Sequence, residues 1–297
     1  MNFNVNYEYY RIFYYVARYN SFTKAANVLG SNQPNVTRSM NKLEEALGCR
    51  LFVRSNRGVT LTPEGQQLFL HVEIAQNQLQ KGEEELAGAT TLQTGSITIG
   101  ASEIALSVYL LDKMQDFHTK YPGIRLKISN HSIPQAMAAL HRGTVDFVVV
   151  SSPTKVDKTV KETVLTDFDE ILVGGRNFAH LTRQKLTFRE LAQYPLIIQE
   201  QGSMSYDFYN QLFLDHGVIM RPDTEVSTAS QILQLAVHNL GLGFLPVPLA
   251  RSALEQGDIY HIELATPLPH RHISYLKDRR KSLSIAAREF EKTLLAP

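Results

Sequence analysis

Between positions 33 and 57 the chain gathers side chains suited to reading a nucleic acid. Gln33, Asn35 and Thr37 offer amide and hydroxyl groups that match base edges, while Arg38 and Lys42 offer charge for guanine or phosphate. At helical period these residues and Asn41 fall on one face, and Val36, Met40, Leu43 and Leu47 fall on the other. Asn32 can cap such a helix, Pro34 is tolerated in its first turn, and Gly48 ends it. Two short extended runs follow, Leu51 to Arg54 and Val59 to Thr62, joined by Ser55, Asn56, Arg57 and Gly58. They read as a hairpin with a basic tip, and Arg54 and Arg57 join the set expected at DNA. A narrow minor groove concentrates negative potential, so an arginine at such a tip suits insertion there.

A second set lies further along. Ser102, Ser132 and Ser151 each follow a predicted strand, and Gln199 and Thr228 hold the matching positions after two later strands. In open α/β sheets ligands bind at the carboxyl ends of strands, where helix N-termini offer N–H groups. As a set facing one cleft, these five residues could hold a carboxylate or similar small anion. Enzyme motifs fit less well. Gly202-Ser203-Met204-Ser205-Tyr206 lacks the second glycine of a hydrolase elbow. Gly241-Leu242-Gly243 precedes no third glycine and opens no helix. His270 and His272 share a strand face without a Cys, Asp or Glu partner at metal spacing, so no metal and no cofactor is expected.

The elements that must position these residues follow from periodicity. Tyr9, Ile12, Phe13 and Val16 mark a first helix; Ser21 caps a short second one carrying Phe22, Ala25, Ala26 and Leu29, which Gly30 breaks. Thr62, Pro63 and Glu64 start a long helix reaching about Ala89. Its positions Gly65, Leu68, Val72, Ala75, Leu79, Gly82 and Leu86 alternate steps of three and four, a heptad seam along which two chains could pair. Thr90 to Gly95 is the linker candidate, and beyond it strands and helices alternate. Strands are expected at 96–100, 124–129, 145–150, 170–173, 196–198, 225–227, 243–245 and 272–276, with a loop at 151–161 after the third. Such alternation implies parallel pairing. Two successive α/β units suggest two lobes with a cleft between them.

Composition agrees with a multidomain protein. The chain has 297 residues, of which 43% are hydrophobic and 20% charged, as in globular proteins. Residues 1–65 hold eight Lys/Arg against four Asp/Glu, leaving 22 against 25 in the remainder, the footprint of a protein that meets a polyanion at one end. The N-terminal residues lack the pattern of a secretory signal and no run reaches the roughly 20 apolar residues of a membrane span, so a cytoplasmic location without membrane contact is expected. A single cysteine, Cys49, excludes an internal disulfide and is expected to pack beside the hairpin.

The run SFTKAANVLGSNQPNVTRSMNKLEEALGCRLFVRSNRGVTLTPEG resembles the signature of LysR-type transcription regulators: a small-residue helix, a Gln-Pro helix start, a Leu-Glu pair, Leu-Phe-x-Arg and Thr-x-x-Gly in fixed order. The resemblance implies a helix-turn-helix over about Phe22 to Asn41, with Gln33, Pro34, Asn35, Thr37 and Arg38 reading DNA and Arg57 at the wing. Asn32 and Asn35 depart from the usual residues, and Asn35 bears on which bases are read. Three looser markers, PGIRL at 122–126, GTVDF at 143–147 and VHNLGLGFLP at 237–246, are similar to the family's effector domain, itself like two-lobe periplasmic binding proteins. The usual His-Pro-Leu-Ala segment is replaced by Asn177 to Leu181. The expected fold is therefore α+β and multidomain: a winged helix-turn-helix over 1–62, a linker and dimerisation helix over 63–90, and a bilobed effector domain over 91–297. Within the last, lobe one spans about 95–165 and 267–297, lobe two about 166–266, with crossings near Thr163 to Asp167 and Thr266 to His272. The implied partners are double-stranded DNA, a small-molecule effector and further copies of the chain as a homodimer or homotetramer. The rival reading is a two-lobe binding protein or enzyme with an accessory helical head.

Overall fold

A computed structural model describes residues 5–55, 58–88, 92–130, 132–154 and 156–296; the side chains of 54, 55, 58, 81 and 84–88 lie outside that description. The chain forms two units, Met1–Ala87 and Gly88–Pro297.

In the first unit, α1 (Tyr7–Tyr19), α2 (Phe22–Val28) and α3 (Gln33–Leu47) precede a hairpin of β1 (Phe52–Ser55) and β2 (Gly58–Leu61), and α4 (Pro63–Gly88) follows. Side-chain oxygens start α1, α2 and α3: Asn6 accepts from Glu8 N at 2.9 Å, Ser21 from Lys24 N at 3.2 Å and Asn32 from Asn35 N at 2.9 Å. The core is aromatic, with Phe13 against Phe52 at 5.3 Å and Phe22 against Phe52 at 5.8 Å between ring centroids. Cys49 packs, partly buried, on this core. Glu44, buried on α3, accepts from Leu51 N at 2.7 Å and Phe52 N at 3.2 Å, and Arg50 donates to it at 2.9 Å. That carboxylate fixes the hairpin's first strand to α3, which is the physical content of the Leu-Glu pair. The Thr-x-x-Gly pattern has an equally local cause. Thr62 Oγ1 donates to Arg50 O at 2.7 Å and accepts from Gly65 N at 3.0 Å, and a Cβ on Gly65 would stand 2.2 Å from Leu51 O.

The seam of α4 divides in two. Gly65 and Val72 are buried and Leu68 packs partly buried on the unit's own core, so these positions serve intradomain packing. Ala75 and Leu79 are exposed, Leu79 by 47%. The side chain of Leu86 lies outside the described residues.

The second unit carries two five-stranded sheets. The elements run β3 (Gly95–Ala101), α5 (Glu103–Ala105), a π turn (Leu106–Leu110), α6 (Leu111–Lys120), β4 (Ile124–Asn130), α7 (Ile133–Arg142), β5 (Phe147–Ser151), β6 (Val160–Phe168) and β7 (Glu170–Gly175). There follow a 3-10 turn (Arg176–Arg183), α8 (Phe188–Leu191), β8 (Leu196–Gln199), α9 (Met204–Asp215), β9 (Thr224–Val226) and α10 (Ala229–Val237). β10 (Leu242–Pro246), α11 (Val247–Glu255), β11 (Ile259–Ile262), β12 (Arg271–Asp278) and α12 (Ile285–Leu295) complete the unit. Sheet one has the order β4-β3-β5-β12-β6 and sheet two β11-β7-β10-β8-β9.

Pairing is mixed, which corrects the expectation of parallel sheets. β3 runs parallel to β4 and β5, and β8 parallel to β9 and β10. β12 is antiparallel to β5 and β6, and β7 is antiparallel to β10 and β11. Antiparallel neighbours need no crossover helix, so alternation with helices says nothing about the strands that carry the chain between sheets. β6 is one of these: it stays in sheet one through Phe168, and β7 opens sheet two at Glu170, which puts the first crossing at Asp169, just past Thr163 to Asp167. α11 and β11 occupy a stretch where periodicity predicts no element.

The looser motifs also have physical roles. In GTVDF, Val145 and Phe147 are buried and the Asp146 carboxylate accepts from Thr98 N at 2.7 Å, tying β5's entry to β3. In PGIRL, Gly123 lies so close to Gln93 that a Cβ there would stand 1.8 Å from its carbonyl oxygen. The 177–181 segment forms part of the 3-10 turn, with Leu181 buried and Asn177 N donating to Asn239 Oδ1 at 2.8 Å.

Candidate functional site

α3 turns Gln33, Pro34, Asn35, Arg38, Asn41 and Lys42 to the exterior, with Thr37 half-buried among them. Val36, Met40 and Leu43 are buried on the opposite side, which fixes the helix's rotation and so the outward set. Gln33, Pro34, Thr37, Arg38 and Asn41 line one shallow depression, and Gln33 Oε1 accepts from the Thr23 hydroxyl of α2 at 3.2 Å. The face can therefore donate and accept hydrogen bonds and carries two cations. Arg57 lies outside the described residues, and Arg54 is described only in its backbone, on β1.

In the second unit, Ser102, Ser132, Ser151, Gln199 and Thr228 all line one cleft of about 370 Å³ between elements of the two sheets. Ser132, Ser203 and Thr228 stand at the N-caps of α7, α9 and α10, so three helix N-termini meet at this cleft. Hydroxyls here already accept from backbone: Ser102 from Ala105 N at 3.2 Å and Ser151 N at 3.3 Å, Ser203 from Tyr206 N at 3.1 Å, and Thr228 from Gln231 N at 3.4 Å. The protons of Ser102 and Ser203 are what remains to offer a ligand, while Thr228 Oγ1 also lies 3.2 Å from Ser230 Oγ.

Sequence reasoning did not single out Glu103, Glu170 or Arg271. Arg271 opens β12, is 2% exposed, and lines the cleft's floor. Its Nε donates to Ser152 O at 2.7 Å, one terminal nitrogen donates to both Glu170 oxygens at 3.0 Å, and the other donates to Ser152 O and faces Ser151 Oγ at 3.5 Å. The guanidinium carbon lies 5.5 Å from the ring centre of Phe168 and 5.0 Å from that of Phe208. Glu170 belongs to sheet two and also accepts from the Tyr209 hydroxyl. Burial, reinforced by the Glu170 carboxylate, raises the Tyr209 phenol well above its ordinary range, so it stays protonated and donates. The signal available was a charged residue at the first position of each of two strands, Glu170 before the apolar run of β7 and Arg271 at the start of β12.

The site also corrects one expectation. The α10 N-terminus was expected to offer free N–H groups to a ligand, but the Glu103 carboxylate accepts from Ala229 N at 2.7 Å and Ser230 N at 3.3 Å. Among the described residues, no group of three or more His, Cys, Asp or Glu is placed to hold a metal ion, and no helix is long and apolar enough to cross a membrane.

Removing one partner of the buried Arg271–Glu170 pair leaves an uncompensated charge. Glu170→Gln is expected to lower unfolding stability by about 3–5 kcal/mol in urea titration, and adding Arg271→Met is expected to recover part of that loss. Equal stability of Glu170→Gln and the parent chain would contradict this account.

Comparison with known proteins places the chain. The family described as "LysR substrate binding domain" matches residues 90–296, and "Bacterial regulatory helix-turn-helix protein, lysR family" matches residues 7–66. Among curated relatives, the activator CmpR of Synechocystis is 25% identical over 97% of this chain and 94% of its own. The RuBisCO operon transcriptional regulator of Allochromatium vinosum is 25% identical over 96% and 94%. Among solved structures, CbnR, a LysR family transcriptional regulator also solved with its target DNA, has a TM-score of 0.74 at 19% identity, covering 99% of this chain and 98% of its own in the DNA-free structure. The probable regulator PA0477 of Pseudomonas aeruginosa has a TM-score of 0.72 at 17% identity, covering 97% and 96%. With both units matched in order, the chain belongs to the LysR family of bacterial helix-turn-helix transcriptional regulators.

Proposed function

We propose that this regulator binds double-stranded DNA through the outer face of α3 and the hairpin, and that a small acidic metabolite in the cleft of the second unit modulates that binding. Gln33, Pro34, Asn35, Thr37, Arg38 and Lys42 meet the major groove, with Arg54 and Arg57 at the backbone or minor groove. The observation that carries the reading is the outward polar face of α3 set by three buried apolar residues on its other side. Ser102, Ser132, Ser151, Gln199 and Thr228 bind the effector, supported by their meeting at one cleft with three helix N-termini, where negative charge is favoured. The chain acts in the cytoplasm, where its DNA lies, and without catalysis of its own. It works as a homodimer or homotetramer, joined through the exposed part of α4.

Three measurements test these parts. Arg38→Ala and Arg57→Ala are each expected to weaken operator binding, by about 1–3 kcal/mol with relaxed specificity for a base contact, or alike on all sequences for a phosphate contact. Salt-controlled titrations that find both variants at parental affinity would remove the proposed face. Leu79→Glu puts a charge in the proposed interface, and light scattering should find monomers; an unchanged oligomer sinks the α4 pairing. Once an effector has been found by thermal-shift screening, Ser102→Ala and Thr228→Val should each lose roughly 1.5–3 kcal/mol of its binding, about ten- to a hundredfold, by calorimetry. Parental affinity in both variants would mean that the effector binds elsewhere.

A further inference from the structure

Glu103 follows Ser102 at the end of β3, in the part of the unit built on sheet one, yet its carboxylate is held by the part built on sheet two. Its two oxygens accept from Ala229 N at 2.7 Å and Ser230 N at 3.3 Å, 126 and 127 residues further along the chain. Those N–H groups belong to the first turn of α10, where no carbonyl within the helix can satisfy them. A carboxylate there gains two charge-assisted hydrogen bonds and the favourable end of the helix dipole. Glu103 is half-buried and lines the cleft together with Thr228, the N-cap of the same helix. The cleft's buried cation, Arg271, is already paired with Glu170. One anion position in the cleft is thus occupied by a side chain of the protein itself.

We propose that Glu103 is a tethered carboxylate that clasps the two lobes in the ligand-free protein, and that an acidic effector acts by taking its place on the N-terminus of α10. The effector half of this proposal rests on the cleft being the effector site; the clasp does not. The exchange explains how charge selects the ligand. A ligand carboxylate can replace both hydrogen bonds that Glu103 gives up, whereas a neutral ligand with a single acceptor replaces them only in part. It also supplies the differential contact that a ligand needs in order to shift a conformational equilibrium, because the arrangement with Glu103 on α10 and the arrangement with the ligand there exclude each other. Glu103 is therefore a specificity-determining residue as well as an inter-lobe contact.

The test uses the full chain, inorganic sulfate as the probe anion, and hydrogen exchange of the Ala229 and Ser230 amides followed by mass spectrometry. In Glu103→Ala these amides should exchange at least about tenfold faster than in the parent, and sulfate should restore their protection while leaving the parent unchanged at the same concentration. Glu103→Gln, which keeps the shape and one acceptor oxygen, should fall between the two and carries the test if the alanine variant does not fold. Parental exchange rates in both variants would overturn the clasp. Equal protection of parent and Glu103→Ala by sulfate would overturn the competition. Neither reading uses an effector or DNA, so their failure removes Glu103's role and leaves the cleft to be judged by the Ser102 and Thr228 variants.

Discussion

The second unit depends on how two chain crossings are held beside one another. The chain passes from sheet one to sheet two at Asp169 and returns before Arg271, so Glu170 and Arg271 are the first residues of the strands that follow the two crossings. Each is charged, each is almost fully buried, and each neutralises the other. Two buried ions can be kept only if their geometry is good and their remaining hydrogen-bonding groups are met. Here the guanidinium is met by Glu170, by Ser152 O and by Ser151 Oγ, and the carboxylate by the Tyr209 hydroxyl as well. The pair therefore fixes both crossings at one point while leaving the lobes beyond it joined by few strands.

Around this floor the cleft is built from small polar residues at the ends of strands and the starts of helices. The Ser102 and Ser203 hydroxyls have already accepted a backbone N–H and keep a proton to donate, and three helix N-termini add partial positive charge. Glu103 answers part of that charge from within the chain. The electrostatics of the cleft thus differ from what its arginine alone suggests. Arg271 is neutralised, Glu103 and Glu200 bring carboxylates to the lining, and the groups left to attract an anion are the helix ends.

In the first unit the comparable constraint is Glu44. A buried carboxylate on α3 that accepts from Leu51 N and Phe52 N makes the outward face of α3 and the first strand of the hairpin parts of one rigid body. Thr62 and Gly65 secure the far end of the hairpin against the same segment, Arg50 and Leu51. Both sides of the hairpin are thereby referred to α3, so the two elements proposed to meet DNA keep a fixed spacing. The start of α4 belongs to this body too, through Val72 and Leu68, while Leu70 and, further along, Leu79 are exposed.

By itself the sequence determined the features that arise from neighbours along the chain. The caps Ser21 and Asn32, the buried stripe of α3 and hence its polar face are legible because helical period and capping act over three or four residues. The five polar residues were legible as a set because each ends or follows a strand, which leaves it at the sheet's carboxyl edge. What only the tertiary structure decided involves partners far apart. β12 joins sheet one antiparallel, although nothing in its local pattern distinguishes it from a parallel strand, and β6 joins beside it over a stretch where no strand is expected from sequence. Gly65, Leu68 and Val72 read as a pairing seam because heptad spacing looks the same whether the covering surface is another chain or the helix's own domain. Arg271 finds Glu170 at a separation of 101 residues, and Glu103 finds Ala229 at 126. A charged residue at a strand or helix start is a common surface feature in sequence, and it becomes a buried pair or an inter-lobe contact only when folding brings its counterpart within hydrogen-bond distance.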